Sequence, residues 1–144
     1  MTLAEVVVVL GIIGLIASMA VPAMLDYVRT AGLQAGTREL ATTVNLARQI
    51  AVARKTSVCV DVGGVDVRLR LGGCQGSLWT GPMTDSAGII HLSGSGTLKI
   101  AANTRVVFTA LGAATPSGTY TVTDSRTNAS RAIVVAASGR VSVE

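Results

Sequence analysis

Residues 1–25 read MTLAEVVVVLGIIGLIASMAVPAML, and Glu5 is the only ionisable side chain among them. A helix of 25 residues is about 38 Å long, enough to cross the roughly 30 Å hydrocarbon core of a bilayer. The apolar run is longer than that of a secretory signal peptide, lacks a basic region ahead of it, and continues into a further helical pattern. We therefore expect residues 1–25 to form a hydrophobic transmembrane helix segment that stays in the protein.

The helical pattern continues beyond Pro22 and becomes amphipathic. Charged residues such as Asp26, Arg38 and Arg54 alternate with apolar ones. The apolar positions recur at steps of three and four residues, which places them on one face of a helix: Leu33, Gly36, Leu40, Val44, Ala47 and Ala51. We expect a single helix to about Lys55, with residues 26–55 as its amphipathic continuation.

After Lys55 the apolar period changes from 3.6 to 2, which predicts β-strands. Valine and leucine alternate with polar residues on both sides of Gly63-Gly64, so these two glycines are predicted to form the turn of a hairpin. This register would set Asp61 opposite Asp66, a like-charge pair that costs stability. The predicted apolar pairs are Val62 with Val65, Val60 with Val67, and Val58 with Leu69.

Residues 72–88 read as a loop, and short strands are expected after it. The predicted strands are Ile89–Leu92, Thr97–Ala101, Arg105–Ala110, Thr119–Thr123, Ala132–Ala136 and Arg140–Val143. Residues 56–144 are therefore predicted to form a β-rich globular domain. The predicted fold class is α+β, with a long N-terminal α-helix packed on a C-terminal antiparallel β-sheet domain.

The composition limits the classes of protein to which the chain can belong. Its 144 residues leave room for one domain. It is 49% hydrophobic and only 14% charged, which excludes an intrinsically disordered chain. The net charge of +4 favours contact with nucleic acid or anionic lipid in general but does not define a site.

Cys59 and Cys74 are the two cysteines of the sequence. In an exported chain they would pair, whereas in the cytosol they would remain two thiols. A bridge between them would attach the loop of residues 72–88 to the hairpin and would stabilise the fold by about 3 kcal/mol.

The sequence lacks the residue sets of common catalytic sites. His91 is the only histidine, so a histidine-based metal cluster or a Ser-His-Asp set lacks its parts, and His91 itself is expected to be a sheet residue with satisfied hydrogen bonds. There is no phosphate-binding glycine motif, and four aromatic residues provide no platform for stacked bases. We expect no enzyme, no cofactor and no metal site.

Glu5 is the remaining candidate for a functional residue. A carboxylate inside hydrocarbon costs about 2.5–3.5 kcal/mol on insertion scales, so such a residue usually has a functional partner. Alternatively, Glu5 lies close enough to the helix N-terminus to reach the headgroups and to be favoured by the helix dipole.

Residues 1–17, followed by Ala20-Val21-Pro22, resemble the mature N-terminus of type IV pilins and type II secretion pseudopilins. The resemblance implies that a prepilin peptidase removes a leader and methylates Met1, which stands where the family usually has Phe. It also implies that Glu5 pairs with the N-terminal amine of a neighbouring subunit during assembly at an inner-membrane platform. Gly11, Gly14 and Pro22 would then permit close helix packing and local loosening of the helix.

The resemblance continues along the chain and is similar to the GspH/FimT subgroup of pseudopilins and minor pilins. It includes Leu46-Ala47-Arg48, Val107-Phe108 with Gly112, residues 132–135, and Ser138-Gly139-Arg140-Val141. FimT-like members implicated in DNA uptake carry a Gly-Arg-x-Arg tail motif. Here residues 139–142 keep Arg140 as a nucleic-acid contact but lack the second arginine, and Glu144 adds negative charge, which argues against DNA binding by the tail.

Together these observations predict a structural subunit of a type IV pilus or pilus-like filament. The subunit would be a homo-oligomer in a helical filament, held in the bacterial inner membrane before assembly and in an extracellular or periplasmic filament afterwards. Two alternatives stay open: a minor pseudopilin of a type II secretion system, and a FimT-like DNA-binding minor pilin in DNA uptake.

Overall fold

The structure, a computed structural model, describes residues 2–93 and 96–144. Met1, for which the resemblance implies methylation, lies outside the described residues. The chain divides after Gly32 into two compact units, the second of which is Leu33–Glu144. This division follows packing, whereas the three segments of the sequence analysis follow composition.

One helix, α1, spans Leu3–Ala53 and agrees with the predicted long helix. It ends in a Schellman motif: the Thr56 N–H donates to the Ala51 carbonyl at 3.1 Å, and the Lys55 N–H donates to the Val52 carbonyl at 3.3 Å. Lys55 adopts the left-handed conformation that this motif requires, with φ 50°. The helix therefore stops where the sequence pattern placed its end, although no glycine marks the position.

The apolar stripe predicted on the second half of α1 is confirmed. Leu33 is 5% exposed, Leu40, Val44, Ala47 and Ala51 are fully buried, and Gly36 is buried as well. Thr37 and Thr43 are buried beside this stripe, and their hydroxyls donate to the carbonyls of Leu33 at 2.7 Å and Glu39 at 3.0 Å. These bonds explain why two polar residues can face the core.

The rest of the second unit consists of two antiparallel sheets, which confirms the α+β fold class. In the first sheet the strand order is β3-β2-β1-β6, and β4 also pairs with β2. Its strands are β1 (Val58–Gly63), β2 (Asp66–Leu71), β3 (Ser77–Leu78), β4 (Ile89–His91) and β6 (Val106–Phe108). The second sheet has the order β5-β7-β8-β9, formed by β5 (Leu98–Ala102), β7 (Gly118–Asp124), β8 (Ser130–Val135) and β9 (Val141–Val143).

The predicted register of the β1–β2 hairpin is wrong by two residues. Val60 pairs with Leu69 rather than Val67, and Asp61 lies opposite Arg68 rather than Asp66. The turn consists of Gly64 and Val65, since Gly63 still pairs with Asp66 and only Gly64 of the two glycines has a positive φ, +73°. A two-residue hairpin turn with a positive φ only at its first residue needs glycine only there. The turn therefore lies one residue later in the chain than predicted. Because the shift between partners is two residues, the buried face stays the same.

The other predicted strands agree with the structure to within two residues at each end. The loop prediction for residues 72–88 is wrong at Ser77–Leu78, where the two-residue strand β3 pairs with Arg70 and Leu71 of β2. A strand of two residues shows no alternating pattern, so only the pairing with β2 defines it. The core of the unit contains side chains from α1 and from both sheets, the largest fully buried ones being Tyr120, Phe108, Leu40, Leu69, Ile90 and Ile133.

Candidate assembly surface and its supporting contacts

The first part of α1 carries a large apolar surface that the described chain does not cover. Leu3–Val21 has a mean hydropathy of 2.5, and none of it is buried. Its large apolar side chains are between 42% and 83% exposed, the extremes being Val6 and Leu3. By length and composition alone, this segment could cross a membrane. An apolar surface of this size needs lipid or protein against it.

The exposed apolar surface continues beyond Val21. Met24, Leu25, Tyr27 and Val28 are 50–74% exposed. Among the helical residues whose burial the structure describes, Leu33 is the first buried one. The exposed apolar side chains of α1 thus extend beyond the candidate membrane span.

Glu5 is exposed and has a local role at the start of α1. The Thr2 N–H donates to Glu5 Oε2 at 3.4 Å, and the Thr2 carbonyl accepts from the N–H of Glu5 at 3.0 Å. A glutamate at the third helical position that bonds back to the N-cap residue is one half of a capping box. The spacing Thr2-x-x-Glu5 is the sequence signal of this cap, and it is separate from the charge of Glu5. The carboxylate therefore has a partner within the chain and still faces outward.

Gly11 and Gly14 lie on α1 in open space. A Cβ atom added at either position would have nothing within 4 Å. The backbone of α1 runs through position 22 without interruption. Nothing within the described chain therefore requires glycine at 11 or 14, and the packing and loosening roles of Gly11, Gly14 and Pro22 remain predictions about contacts with other molecules.

Cys59 and Cys74 form a disulfide, with their Cα atoms 5.0 Å apart. Cys59 lies in β1 and is fully buried, and Cys74 lies in the loop that follows β2. The pairing expected for an exported chain is confirmed. The bridge holds the loop to the first sheet, as predicted.

Arg48 connects three parts of the chain that the resemblance singled out separately. Its Nε donates to the Gly112 carbonyl at 3.0 Å. A Cβ on Gly139 would overlap the same carbonyl oxygen, and both glycines have positive φ, +82° and +80°. Only glycine fits such close backbone approaches. The Arg48 side chain therefore lies where Gly112 and Gly139 meet, and Arg140, the next residue, is exposed.

His91 lies in β4, as expected, and both of its ring nitrogens face carboxylates. Nδ1 is 2.9 Å from Asp66 Oδ1, and Nε2 is 3.3 Å from Asp85 Oδ2. The hydrogen bond to Asp66, followed by that to Asp85, raises the pKa of His91. The pKa of Asp85 is lowered, first by the hydrogen bond from the Ile89 N–H. Among residues 2–93 and 96–144, no group of three His, Cys, Asp or Glu side chains could hold a metal ion.

The family model of the type II transport protein GspH matches residues 36–139. The chain belongs to the GspH family. The match covers most of the second unit, including the residues that Arg48 connects, and the family and fold are those of type IV pilins and pseudopilins. No curated protein matches this GspH-family chain in sequence.

Solved structures show the same fold at low sequence identity. The type IV minor pilin FimU of Pseudomonas aeruginosa is 19% identical over 82% of this chain and 92% of FimU, with a TM-score of 0.61. A second crystal form of FimU is 20% identical over 78% of this chain and 92% of that one, with a TM-score of 0.57. The solution structure of GspH from E. coli is 14% identical over 77% of this chain and 86% of GspH, with a TM-score of 0.53.

Proposed function

We propose that this GspH-family chain is a subunit of a type IV pilus or pilus-like filament and polymerises through α1. The observation that carries the proposal is the exposure of the apolar segment Leu3–Val21, which belongs to a different compact unit from Leu33–Glu144. None of this segment is buried, so its apolar side chains are available to contact lipid or other subunits.

Assembly would exchange lipid for protein around this segment. Before assembly the helix would lie in the inner membrane, where hydrocarbon covers its apolar side chains. Leaving the bilayer exposes that surface to water unless other subunits cover it, so extraction and polymerisation would be one event. An inner-membrane platform would supply the energy and the geometry of this step, and the product would be an extracellular or periplasmic filament.

Glu5 would set the register of neighbouring subunits. In the filament its carboxylate would be buried and would need an opposite charge, which the N-terminal amine of the neighbouring subunit supplies after prepilin peptidase has processed and methylated Met1. Losing one partner of a buried pair costs about 3–5 kcal/mol. The pair would therefore destabilise filaments in which neighbouring subunits are out of register, rather than add net stability to the correct one.

The capping contact of Glu5 makes a sharp test available. Glu5→Gln keeps an oxygen that can accept from the Thr2 N–H, whereas Glu5→Ala loses both the cap and the charge. If the charge pairs with a neighbouring subunit, both variants insert into the membrane but form few filaments, measured by electron microscopy of sheared fibres. Normal filaments from Glu5→Gln but few from Glu5→Ala would show that Glu5 only caps the helix. Normal filaments from both variants would overturn its assembly role.

The place of the subunit in the filament is a separate question. The match to the GspH model and the likeness to FimU, a minor pilin, favour a minor subunit, such as a minor pseudopilin of a type II secretion system. Mass spectrometry of purified native filaments decides this point. A filament made mainly of this chain indicates a major subunit, and a few copies per filament indicate a minor one.

DNA uptake is the third candidate function, and Arg140 is the residue that favours it. The side chain is exposed and directly follows a turn, so it can reach a phosphate. Gel shifts of the wild type and Arg140→Ala across salt concentrations test it, since removing one arginine–phosphate pair reduces the salt slope by about one. Equal slopes would exclude Arg140 as a DNA contact.

A further inference from the structure

His91 is held between two carboxylates from different parts of the second unit. Asp66 begins strand β2, and Asp85 lies in the loop that leads into β4. The side chain of His91 is 55% exposed and those of Asp66 and Asp85 are 28% and 37% exposed, so protons can reach all three groups. This arrangement has no part in the proposed filament function.

Asp85 organises its own loop independently of His91. Its Oδ1 accepts from the N–H of Ala87 at 2.9 Å and of Ile89 at 2.8 Å, and its own N–H donates to the Ile89 carbonyl at 2.9 Å. The remaining oxygen, Oδ2, faces His91. Asp85 therefore closes the loop onto Ile89 of β4, and its Oδ2 adds a second contact, to His91 on the same strand.

We infer that His91 is a proton-dependent clamp that links Asp85 of the loop to Asp66 of β2, and that loss of its proton breaks the contact with Asp85. An ionised carboxylate only accepts hydrogen bonds, so each of the two contacts needs an N–H from the ring. A protonated imidazole has two N–H groups and a neutral one has one. The neutral ring therefore keeps one hydrogen bond and gives up the other.

The distances identify which hydrogen bond is kept. Nδ1 to Asp66 is 2.9 Å and Nε2 to Asp85 is 3.3 Å, so the single remaining proton stays on Nδ1. The charged side chains that contact His91 are Asp66 from β2 and Asp85 from the loop, whereas Arg68 of β2 pairs with Ile89. Both acids favour the protonated ring.

The contact between His91 and Asp85 is expected to be lost as the pH rises. Because the pKa of His91 is raised in the folded chain, the stability contributed by the clamp is complete below the unfolded value of about 6.5 and is lost as the pH rises through the folded value. Above that value the loop would move more freely while Asp85 still closes it. Met83 lies in this loop and is 52% exposed. The mobility of its apolar side chain would therefore change with pH.

The single histidine allows a direct test in the full chain. We expect ¹⁵N-histidine labelling of the chain in detergent micelles to give one set of ring signals between pH 5 and 9. The neutral form should carry its proton on Nδ1. A neutral ring protonated on Nε2 would overturn the inference.

Hydrogen exchange tests the effect on the loop. The Ala87 and Ile89 amides should exchange about twofold to fivefold more slowly in the wild type than in His91→Gln at low pH, a ratio expected for exposed ion pairs. The ratio should approach one above the pKa of His91. Comparing the two proteins at the same pH removes the intrinsic pH dependence of exchange, and a ratio that does not change with pH would contradict the clamp.

Two variants of the carboxylates serve as matched controls. Asp85→Asn keeps an oxygen for the loop amides and removes the charge that faces His91, so it should abolish the pH dependence while leaving the loop closed. Asp66→Asn should lower the pKa of His91 more than Asp85→Asn does, because its contact is the shorter one. The reverse order would contradict the assignment of Asp66 as the retained partner.

Discussion

Leu10 and Leu40 lie on the same helix, yet 62% of Leu10 is exposed and Leu40 is fully buried. The difference in exposure follows from the packing of the two parts of α1. From Leu33 onward the helix contributes a stripe to the core of the second unit, while the large apolar side chains described before Leu33 are exposed. Apolar side chains after Leu33 therefore pack within the chain, whereas those before it remain available for lipid or other molecules.

Truncating the two leucines should give the largest contrast. Leu40→Ala is expected to destabilise the second unit by about 2–5 kcal/mol because it leaves a cavity. Leu10→Ala should change that stability by less than about 0.5 kcal/mol, since nothing in the described chain packs on it. Denaturant unfolding of the full chain in micelles measures both, and a similar loss in the two variants would break the comparison.

Reducing the disulfide should affect only the second unit. Opening the Cys59–Cys74 bridge is expected to cost about 3 kcal/mol of its stability. The helical signal of residues 3–32 in micelles should not change, because both cysteines belong to the second unit. Helix loss before Leu33 on reduction would show that the two units depend on each other.

The glycines of α1 sharpen the same comparison. A Cβ at Gly36 would overlap Leu98 Cδ1, whereas a Cβ at Gly14 would meet nothing. Gly36→Ala should therefore destabilise the second unit by about 1–3 kcal/mol. Gly14→Ala should leave that unit unchanged and should strengthen its own helix by up to about 1 kcal/mol. If Gly14 mediates close packing between subunits, the same variant should reduce filament yield.

The smallest effect is expected within the second unit, at Tyr120. Its hydroxyl is buried without a hydrogen bond of normal geometry among the described residues, and burial raises its pKa, an effect that the nearby Val106 backbone only partly opposes. Removing an unsatisfied polar atom is neutral or stabilising, so Tyr120→Phe should raise the stability by about 0–1 kcal/mol. A clear loss in thermal or denaturant unfolding would reveal a partner for the hydroxyl.

Sequence patterns predicted the parts of the fold that depend on neighbours along the chain. The stripe from Leu33 to Ala51 and the alternation of strands such as β7 follow from helical and extended periods, so both could be read without a structure. The β1–β2 register could not, because alternation allows shifts of two residues and only the turn conformation of Gly64 selects one.

The candidate site divides in a similar way. Glu5, the glycines and the apolar run are evident in the sequence because each stands out against its neighbours, and the spacing of Thr2 and Glu5 marks the cap. The contacts of Arg48 with Gly112 and of His91 with Asp66 link positions far apart in the chain, 64 and 25 residues. No local pattern marks such pairs.

The sequence alone determined that a helix apolar on all sides precedes an amphipathic helix and a set of strands, since hydrophobic burial and local backbone geometry act residue by residue. Tertiary structure decided the hairpin register, the short strand β3, and which cations and carboxylates face one another. Those features depend on distances between segments that meet only in the folded chain, where a turn conformation or a shift of two residues changes every partner.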